Sequence, residues 1–405
     1  MTEPSPTHLF EQRFTSNVKT VSRQSLVFFL GTLFFAVTGY LFKIYLARTL
    51  GAEAIGLYDL GMVMVSLCWM ISHFGLPQSA IRYVAIYNQS GESAKLNTLL
   101  TNSSALVFIS SLVLGGLLYL YRSDVAVFLE APKLEDLMIY FLPIVPLGAL
   151  AALYASMLNG FKEVAWRTVI TTFIQLPVRI VATIGFIVIL GWSVKGLISG
   201  HTIAFISSVA LLTLIIRKRN RALQWIPVRF SKVELTAVWN DIRPYASVMF
   251  LISIFSLLLA RVNHVLLSIN LDTESVGIFS TVVTTILYVP LLLTSVNSIF
   301  APIIAELHSS GDHKLLGTLF KTITKWISGF TFPLVFTIIL YRETFMGFYG
   351  SEFLAGTTPL AWMAAAAFID VSVGSVGYML LMSGNQRLEL INLLFAAIIT
   401  VGSSL

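Results

Sequence analysis

The chain is dominated by apolar runs that are each long enough to cross a membrane as a helix. Crossing about 30 Å of hydrocarbon takes about 20 helical residues, and eleven runs approach or exceed that length. Isolated strands are excluded because unpaired backbone groups are too costly in lipid. The sequence therefore predicts an all-α polytopic membrane protein. The predicted spans are residues 25–47, 56–79, 99–121, 136–158, 166–190, 195–216, 245–268, 276–298, 317–340, 357–382 and 389–405.

Composition supports this class and limits the chemistry. Only 11% of the 405 residues are charged, whereas an average soluble domain has about 25%, so the chain lacks the charge to cover a globular surface. The net charge of +6 is typical of basic cytoplasmic loops and does not require nucleic acid as a partner. Cys68 is the one cysteine and cannot form an internal disulfide. No phosphate-binding G-x-x-x-x-G-K-[ST] loop is present, and no cofactor or metal site is predicted.

The distribution of basic residues predicts the orientation and the domains. Seventeen Lys and Arg residues fall on the side of the N-terminus and five on the other side, which indicates a cytoplasmic N-terminus in the plasma (inner) membrane. We predict a cytoplasmic amphipathic N-terminus, a six-helix bundle, a basic cytoplasmic linker and a second bundle that is incomplete, because the sequence ends inside its last span. These domains cover residues 1–24, 25–216, 217–244 and 245–405.

A short repeat links the two predicted bundles. Residues 50–58 read L-G-A-E-A-I-G-L-Y and residues 271–279 read L-D-T-E-S-V-G-I-F, at an offset of 221. Each segment joins the first two helices of its half, and Gly56 and Gly277 are expected to let these two helices pack closely. A repeat after six helices preserves orientation, so the halves are expected to be related by a pseudo-two-fold axis along the membrane normal.

The same segments carry a family resemblance. The hairpin L-A-R-T-L-G-A-E-A-I-G-L-Y at 46–58 and the helix end F-G-L-P-Q-S-A-I-R-Y-V-A at 74–85 resemble the polysaccharide biosynthesis and O-antigen flippase branch of the multidrug/oligosaccharidyl-lipid/polysaccharide (MOP) exporter superfamily, which is related to MATE transporters. The resemblance implies two bundles that expose a central cavity alternately to each side. It also implies transport of undecaprenyl-pyrophosphate-linked oligosaccharide, with a polysaccharide polymerase and glycosyltransferases as further partners.

The fifth predicted span, residues 166–190, carries the strongest candidate for substrate binding. Arg179 lies near its middle, and Thr172, Gln175 and Thr183 share its face at helical spacing. A polar stripe on a membrane helix is expected to face a cavity or another helix, and a guanidinium suits bidentate contact with phosphate. The alternative is a structural arginine that binds backbone carbonyls.

Four further cationic or titratable candidates lie in other spans. Arg261 and His264 share a face of the predicted span 245–268, and Lys43 lies in the predicted span 25–47. Arg261 and Lys43 are also placed where a long side chain can reach the membrane surface. Asp370, in the predicted span 357–382, is a candidate for ion coupling or for a salt bridge with the other bundle. The excess of cations predicts an anionic substrate.

Three functions remain open at this stage. The first is a lipid-linked oligosaccharide flippase. The second is a MATE-type cation-coupled drug or metabolite antiporter, which would be favoured by a carboxylate in helix 1, where this chain has none. The third is a membrane-embedded enzyme of glycan assembly, which is disfavoured because the predicted outer loops are short and the repeat is typical of transporters.

Overall fold

The computed structural model describes residue 31, residues 33–220 and residues 232–404, except for positions 292, 295, 298–299, 301–303, 305–306, 309–310 and 384. The amphipathic N-terminus predicted at 1–24 lies outside these residues, as do residues 221–231 of the predicted linker. The described chain is all-helical. Its longer helices are α1 (Leu33–Leu50), α2 (Ala52–His73), α3 (Leu76–Ser90), α4 (Ser93–Leu120), α5 (Arg122–Phe128), α6 (Leu134–Phe141), α7 (Ile144–Gly160), α8 (Val164–Leu190), α9 (Val194–Arg219), α10 (Lys232–Asn270), α11 (Thr273–Ile286), α12 (His313–Leu340), α13 (Arg342–Gly347), α14 (Thr357–Val373), α15 (Val376–Met382) and α16 (Gln386–Ser404).

The membrane-spanning character predicted from the sequence is confirmed. Within the described residues, eight helices are long and apolar enough to cross a membrane, and a ninth span results if α6 and α7 are counted together. The predicted span 276–298 corresponds to α11 and to a following stretch that is only partly described. The predicted span 389–405 corresponds to α16, whose apolar part, Ile391–Thr400, is shorter than a full span.

Three predicted spans are interrupted or extended. The predicted span 56–79 breaks at Phe74 and Gly75, which both have left-handed backbone conformations, with φ of 48° and 73°. The predicted span 136–158 is bent by 46° between α6 and α7, next to Pro143. The predicted span 245–268 is extended toward the N-terminus, because it belongs to one helix, α10, that begins at Lys232 and contains Pro244.

A wide π-helical turn covers Val169–Ile174 within α8. Pro177 lacks the N–H that would otherwise bond to the carbonyl of Phe173, so the regular helical ladder is interrupted in this turn. Such turns often occur at functional sites. Here the turn comes directly before the segment that presents Arg179.

The internal repeat extends to matching helices. Helices α4 and α12 each have 28 residues, and their first residues, Ser93 and His313, differ by 220 positions. Each is followed by a short helix that begins with an arginine, Arg122 in α5 and Arg342 in α13. The positions of these helices along the chain match the offset of the sequence repeat.

The two repeat glycines have a different role from the one predicted. A Cβ atom at Gly56 would lie 1.8 Å from the carbonyl oxygen of Thr273, and one at Gly277 would lie 1.9 Å from the carbonyl oxygen of Ala52. Both glycines thus allow α2 of the first half to cross α11 of the second half in backbone contact. The contact is reciprocal, because Ala52 and Thr273 are themselves 221 positions apart.

The first helix of each half packs against the other half. In α1, the Tyr40 ring meets the Tyr349 ring edge-on with centroids 5.8 Å apart. In α10, the backbone at Ala246 lies so close to Gly75 that a Cβ atom there would be 2.1 Å from the Ala246 carbonyl oxygen. Val238, Ile242 and Ala246 of α10 belong to the hydrophobic core of the first half. The halves are therefore joined through their first helices as well as through the glycine crossing.

Candidate functional site

A lysine–aspartate pair lies at the contact between the halves. Lys43 Nζ of α1 is 3.1 Å from Asp59 Oδ2 of α2, and it donates a hydrogen bond to Ser280 Oγ of α11 at 2.9 Å. The two charged side chains are only 14% and 13% exposed. A charge pair this far from water stabilises the arrangement only while both partners remain together. Lys43 thus joins a helix of the second half to the first half.

His264 of α10 completes this cluster. It is 4% exposed, its ring meets the Phe279 ring edge-on at 5.4 Å, and its Nδ1 has no hydrogen-bond partner among the described residues. The charged groups that act on it are Asp59, Arg261 and Lys43. Arg261, one turn away on the same helix, is half-buried, and no described carboxylate pairs with it.

The four polar residues of this cluster are related by the repeat. His264 is 221 positions after Lys43, and Ser280 is 221 positions after Asp59. The first half therefore supplies a cation and a carboxylate, whereas the second half supplies a histidine and a serine at the equivalent positions. We refer to Lys43, Asp59, His264 and Ser280 as the central cluster.

Arg179 of α8 points toward the same region through Tyr58. Its Nη2 donates to Tyr58 Oη at 2.9 Å, and Tyr58 Oη lies 2.6 Å from His201 Nδ1 of α9. Tyr58 Oη therefore links Arg179 to His201, and the imidazole tautomer determines which of Tyr58 and His201 donates in the second hydrogen bond. The guanidinium also lies over the rings of Phe42 and Tyr58, 5.7 and 5.5 Å from their centroids.

The guanidinium of Arg179 keeps unused binding capacity. Its Nε is buried and has no hydrogen-bond partner among the described residues, and no described carboxylate pairs with the side chain. Arginine presents five N–H donors, of which the structure assigns one to Tyr58. An anion that reached this position would find both charge and free donors.

The remaining predicted site residues are distributed differently. Gln175 is half-buried one turn before Arg179. Thr183, on the same predicted stripe, faces α9, where a Cβ atom at Gly200 would be 2.2 Å from its Oγ1. Asp370 is exposed near the end of α14, and no described residue forms an ion pair with it. Its predicted role in coupling or in a salt bridge remains a prediction.

Reasoning from sequence missed four members of the site. Tyr58, Ser280 and His201 have no distinguishing local signal, and Asp59 lies close to the end of the predicted span 56–79 and is not among the predicted site residues. The repeat offset was the usable signal, because it maps Lys43 onto His264 and Asp59 onto Ser280. The position of His201 depends on the contact between α8, α9 and α2, which no local pattern reveals.

The end of the molecule that carries the two repeat hairpins is held together by further contacts between the halves; we call it the hairpin end. Arg48 Nε donates to the Phe348 carbonyl at 2.8 Å, and the Ala52 N–H donates to Glu352 Oε1 at 3.2 Å. In the other half, Ser268 Oγ donates to the Leu129 carbonyl. The first hairpin is thus attached to the loop that follows α13, and the second hairpin is attached to the loop that follows α5.

The electrostatic balance of the region is positive. Lys43, Arg179 and Arg261 contribute three cationic side chains, and Asp59 contributes the one carboxylate that contacts them among the described residues. Weak solvent screening away from water makes this excess a strong attraction for anions. The arrangement is suited to binding a negatively charged group next to the contact between the halves.

The fold is shared with solved structures of membrane transporters. Lipid II flippase MurJ in an inward closed conformation is 15% identical, with a TM-score of 0.71 over 93% of this chain and 79% of that chain. A multidrug resistance MATE family transporter of the MOP superfamily, inward-facing, is 14% identical, with a TM-score of 0.67 over 90% and 84%. The MATE multidrug transporter DinF-BH is 18% identical, with a TM-score of 0.62 over 93% and 85%.

The fold class is therefore the one that these MATE transporters and MurJ share, as the resemblance in the sequence implied. Within it, the chain belongs to the polysaccharide biosynthesis protein family, whose profile matches residues 21–308. No curated protein matches the chain significantly.

Proposed function

We propose that the protein is a flippase that moves undecaprenyl-pyrophosphate-linked oligosaccharide from the inner to the outer leaflet. The family concerns polysaccharide biosynthesis, and one protein of the same fold is a lipid II flippase. The observation that most directly supports this proposal is the environment of Arg179. Its guanidinium is half-buried, it has no carboxylate partner among the described residues, and its Nε has no hydrogen-bond partner there. A pyrophosphate supplies the charge and the acceptor oxygens that this group lacks.

In this proposal the substrate headgroup binds near Arg179 and Arg261, with Gln175 and His264 as further polar neighbours. Lys43 has a different part, because Asp59 already neutralises it. Transport then proceeds by alternating access: the contacts at the hairpin end separate while the opposite end closes. The reciprocal crossing of Gly56 and Gly277 supports a pseudo-two-fold relation between the moving halves.

The orientation follows from the basic residues. We place the hairpin end on the outer face of the plasma membrane, with the N-terminus and the basic linker in the cytoplasm. A polysaccharide polymerase and glycosyltransferases are the expected partners, because they make and use the proposed substrate.

The test quantifies lipid-linked oligosaccharide in each leaflet of a deletion strain complemented with wild type, Arg179→Ala, Arg179→Lys or the exposed control Arg342→Ala. We expect the inner leaflet to accumulate substrate without the protein. Wild type and Arg342→Ala should restore export, Arg179→Ala should not, and Arg179→Lys should restore part of it because it keeps the charge and loses bidentate geometry. Unchanged leaflet distributions in the deletion strain would refute the proposal.

A second candidate function is a cation-coupled antiporter. Asp59 favours it, because this largely buried carboxylate of α2 lies at the contact between the halves, and several structures of the same fold are MATE transporters. The same strains distinguish the two functions: altered sensitivity to cationic dyes with normal leaflet distributions would favour the antiporter. The fold and family are those of transporters, so no enzymatic activity is proposed.

A further inference from the structure

The asymmetry of the central cluster has a chemical consequence. Three of its four members have partners: Lys43 contacts both Asp59 and Ser280. His264 differs, because its Nδ1 is buried and unpartnered among the described residues. It occupies the repeat position of Lys43, and a histidine changes its charge near neutral pH. The second half therefore has a histidine where the first half has a lysine at the contact between the halves.

The surroundings of His264 determine which charge state fits. Lys43 approaches it from α1, Asp59 from α2 and Arg261 from its own helix, while α11 contributes the uncharged Phe279 and Ser280. Arg179 of α8 acts on the same region through Tyr58. Asp59 is already shared between Lys43 and Ser280. A protonated imidazole would add a cation next to two others, out of contact with water, with one occupied carboxylate to offset them.

We propose that His264 is a proton-binding site that controls separation of the halves at the hairpin end. With His264 neutral, Lys43 and Asp59 remain paired and the hairpin end stays closed as described. With His264 protonated, separation of α10 and α11 from α1 and α2 allows water to solvate the new charge and relieves repulsion from Lys43 and Arg261. A ligand that binds one of two conformations better shifts the population toward it, and here the ligand is a proton.

The inference rests on the alternating-access part of the proposed function and adds a controlling ion to it. Histidine in water has a pKa of about 6.5. If the closed arrangement excludes the proton and the open one admits it, the ratio of open to closed molecules rises about tenfold between about pH 7.5 and about pH 5.5. An acidic outer compartment would thus favour the outward-open arrangement.

A single buried cysteine reports this opening without any substrate. Ile55 is fully buried against the second half near the glycine crossing. The reporter is Ile55→Cys with the native Cys68 replaced by alanine, reconstituted in liposomes and labelled with a membrane-impermeant maleimide. Val127→Cys in the same background is the reference for the pH dependence of the thiol itself, because Val127 of α5 is 74% exposed.

We expect the labelling rate of Ile55→Cys, divided by that of Val127→Cys, to rise about tenfold from about pH 7.5 to about pH 5.5. His264→Gln should keep this ratio, at every pH, at the low value that the wild-type background has at about pH 7.5. His264→Lys should raise the ratio at every pH, because a lysine keeps its charge over this range. His313→Gln, on an exposed histidine at the start of α12, should behave as wild type.

Two results would overturn the inference: a flat ratio in the wild-type background, or an unchanged pH response in His264→Gln. Neither affects the flippase proposal, because labelling requires no lipid-linked substrate. Conversely, a deletion strain with normal leaflet distributions would refute the flippase while leaving the pH response of the hairpin end measurable.

Discussion

Gly56 and Gly277 lie in backbone contact where α2 crosses α11, and neither position has space for a side chain. The obstructing atoms are carbonyl groups of the opposite helix, so a rotamer change cannot relieve a clash. Any added Cβ must push the two halves apart.

We therefore predict that Gly56→Ala and Gly277→Ala open the hairpin end. Overpacking costs typically about 1–3 kcal/mol, so the Ile55→Cys reporter should label several-fold faster in both variants. Gly116→Ala is the matched control, because a Cβ atom there meets nothing within 4 Å. Equal labelling of Gly56→Ala and Gly116→Ala would mean that the crossing does not hold the halves together.

The Lys43–Asp59 pair should behave as a buried ion pair. Removing one partner leaves an uncompensated charge out of water, so Asp59→Asn or Lys43→Gln alone should lower the free energy of unfolding by about 3 kcal/mol. The double variant should be less destabilised than the sum of the two. Thermal unfolding in detergent measures this coupling.

The exposed pair Lys133–Glu53 provides the comparison for this set of single and double variants. Its nitrogen and oxygen are 2.7 Å apart, but the side chains are 70% and 50% exposed. Exposed pairs contribute about 0–1 kcal/mol. A coupling energy at Lys43–Asp59 no larger than at Lys133–Glu53 would show that the central cluster is hydrated.

Tyr58→Phe should affect substrate handling more than folding. It removes the hydroxyl that accepts from Arg179 and contacts His201 Nδ1, and it preserves the ring between them. We expect the rate of substrate export to fall about tenfold, since Arg179 loses the contact that orients it, while stability falls by only about 1–2 kcal/mol. Export equal to wild type, in the leaflet assay, would separate Tyr58 from the site.

Asp272 gives a prediction for pH. The N–H of Ser275 donates to its side chain at the start of α11, and this hydrogen bond holds the pKa of the Asp272 carboxyl below its usual value. A lowered pKa in the folded state means that the stabilisation is complete above the usual value of about 3.9 and is lost as the pH falls through the folded value.

Asp272→Ala should accordingly lower the free energy of unfolding by about 1 kcal/mol near neutral pH, the usual effect of losing an N-terminal cap, and the deficit should shrink in acid. Asp272→Asn retains an acceptor and should lose less. Unfolding temperatures of the three proteins between about pH 3 and about pH 7 test this. A deficit independent of pH would contradict the charge-assisted cap.

The fold was predictable because apolar run length alone determines most helices in lipid. Residues 93–120 and 164–190, for example, are both predicted as spans, although the predicted starts are six and two residues late. The break at Phe74–Gly75 was not recognised, because the apolar pattern continues through it. Its cause is tertiary: the backbone of α10 lies against Gly75 and excludes a side chain there.

The site was predictable only by residue type. Lys43, Arg179 and His264 stood out because charged or titratable groups are costly within membrane spans. Their grouping and their partners were not predictable, because Tyr58 and His201 look like ordinary packing residues until α2, α8 and α9 are placed together. Periodicity identifies a face of one helix, whereas the neighbour of that face is determined by the fold.

The packing of α1 and α10 against opposite halves bears on how such a chain can be divided. A cut within residues 221–231 separates the halves in sequence but leaves α10 without the core that covers Val238 and Ile242, and α1 without the partners of Tyr40. Neither fragment would then be self-sufficient in the bilayer. Two fragments made in the same cell should instead assemble by exchanging first helices, like the subunits of a domain-swapped dimer.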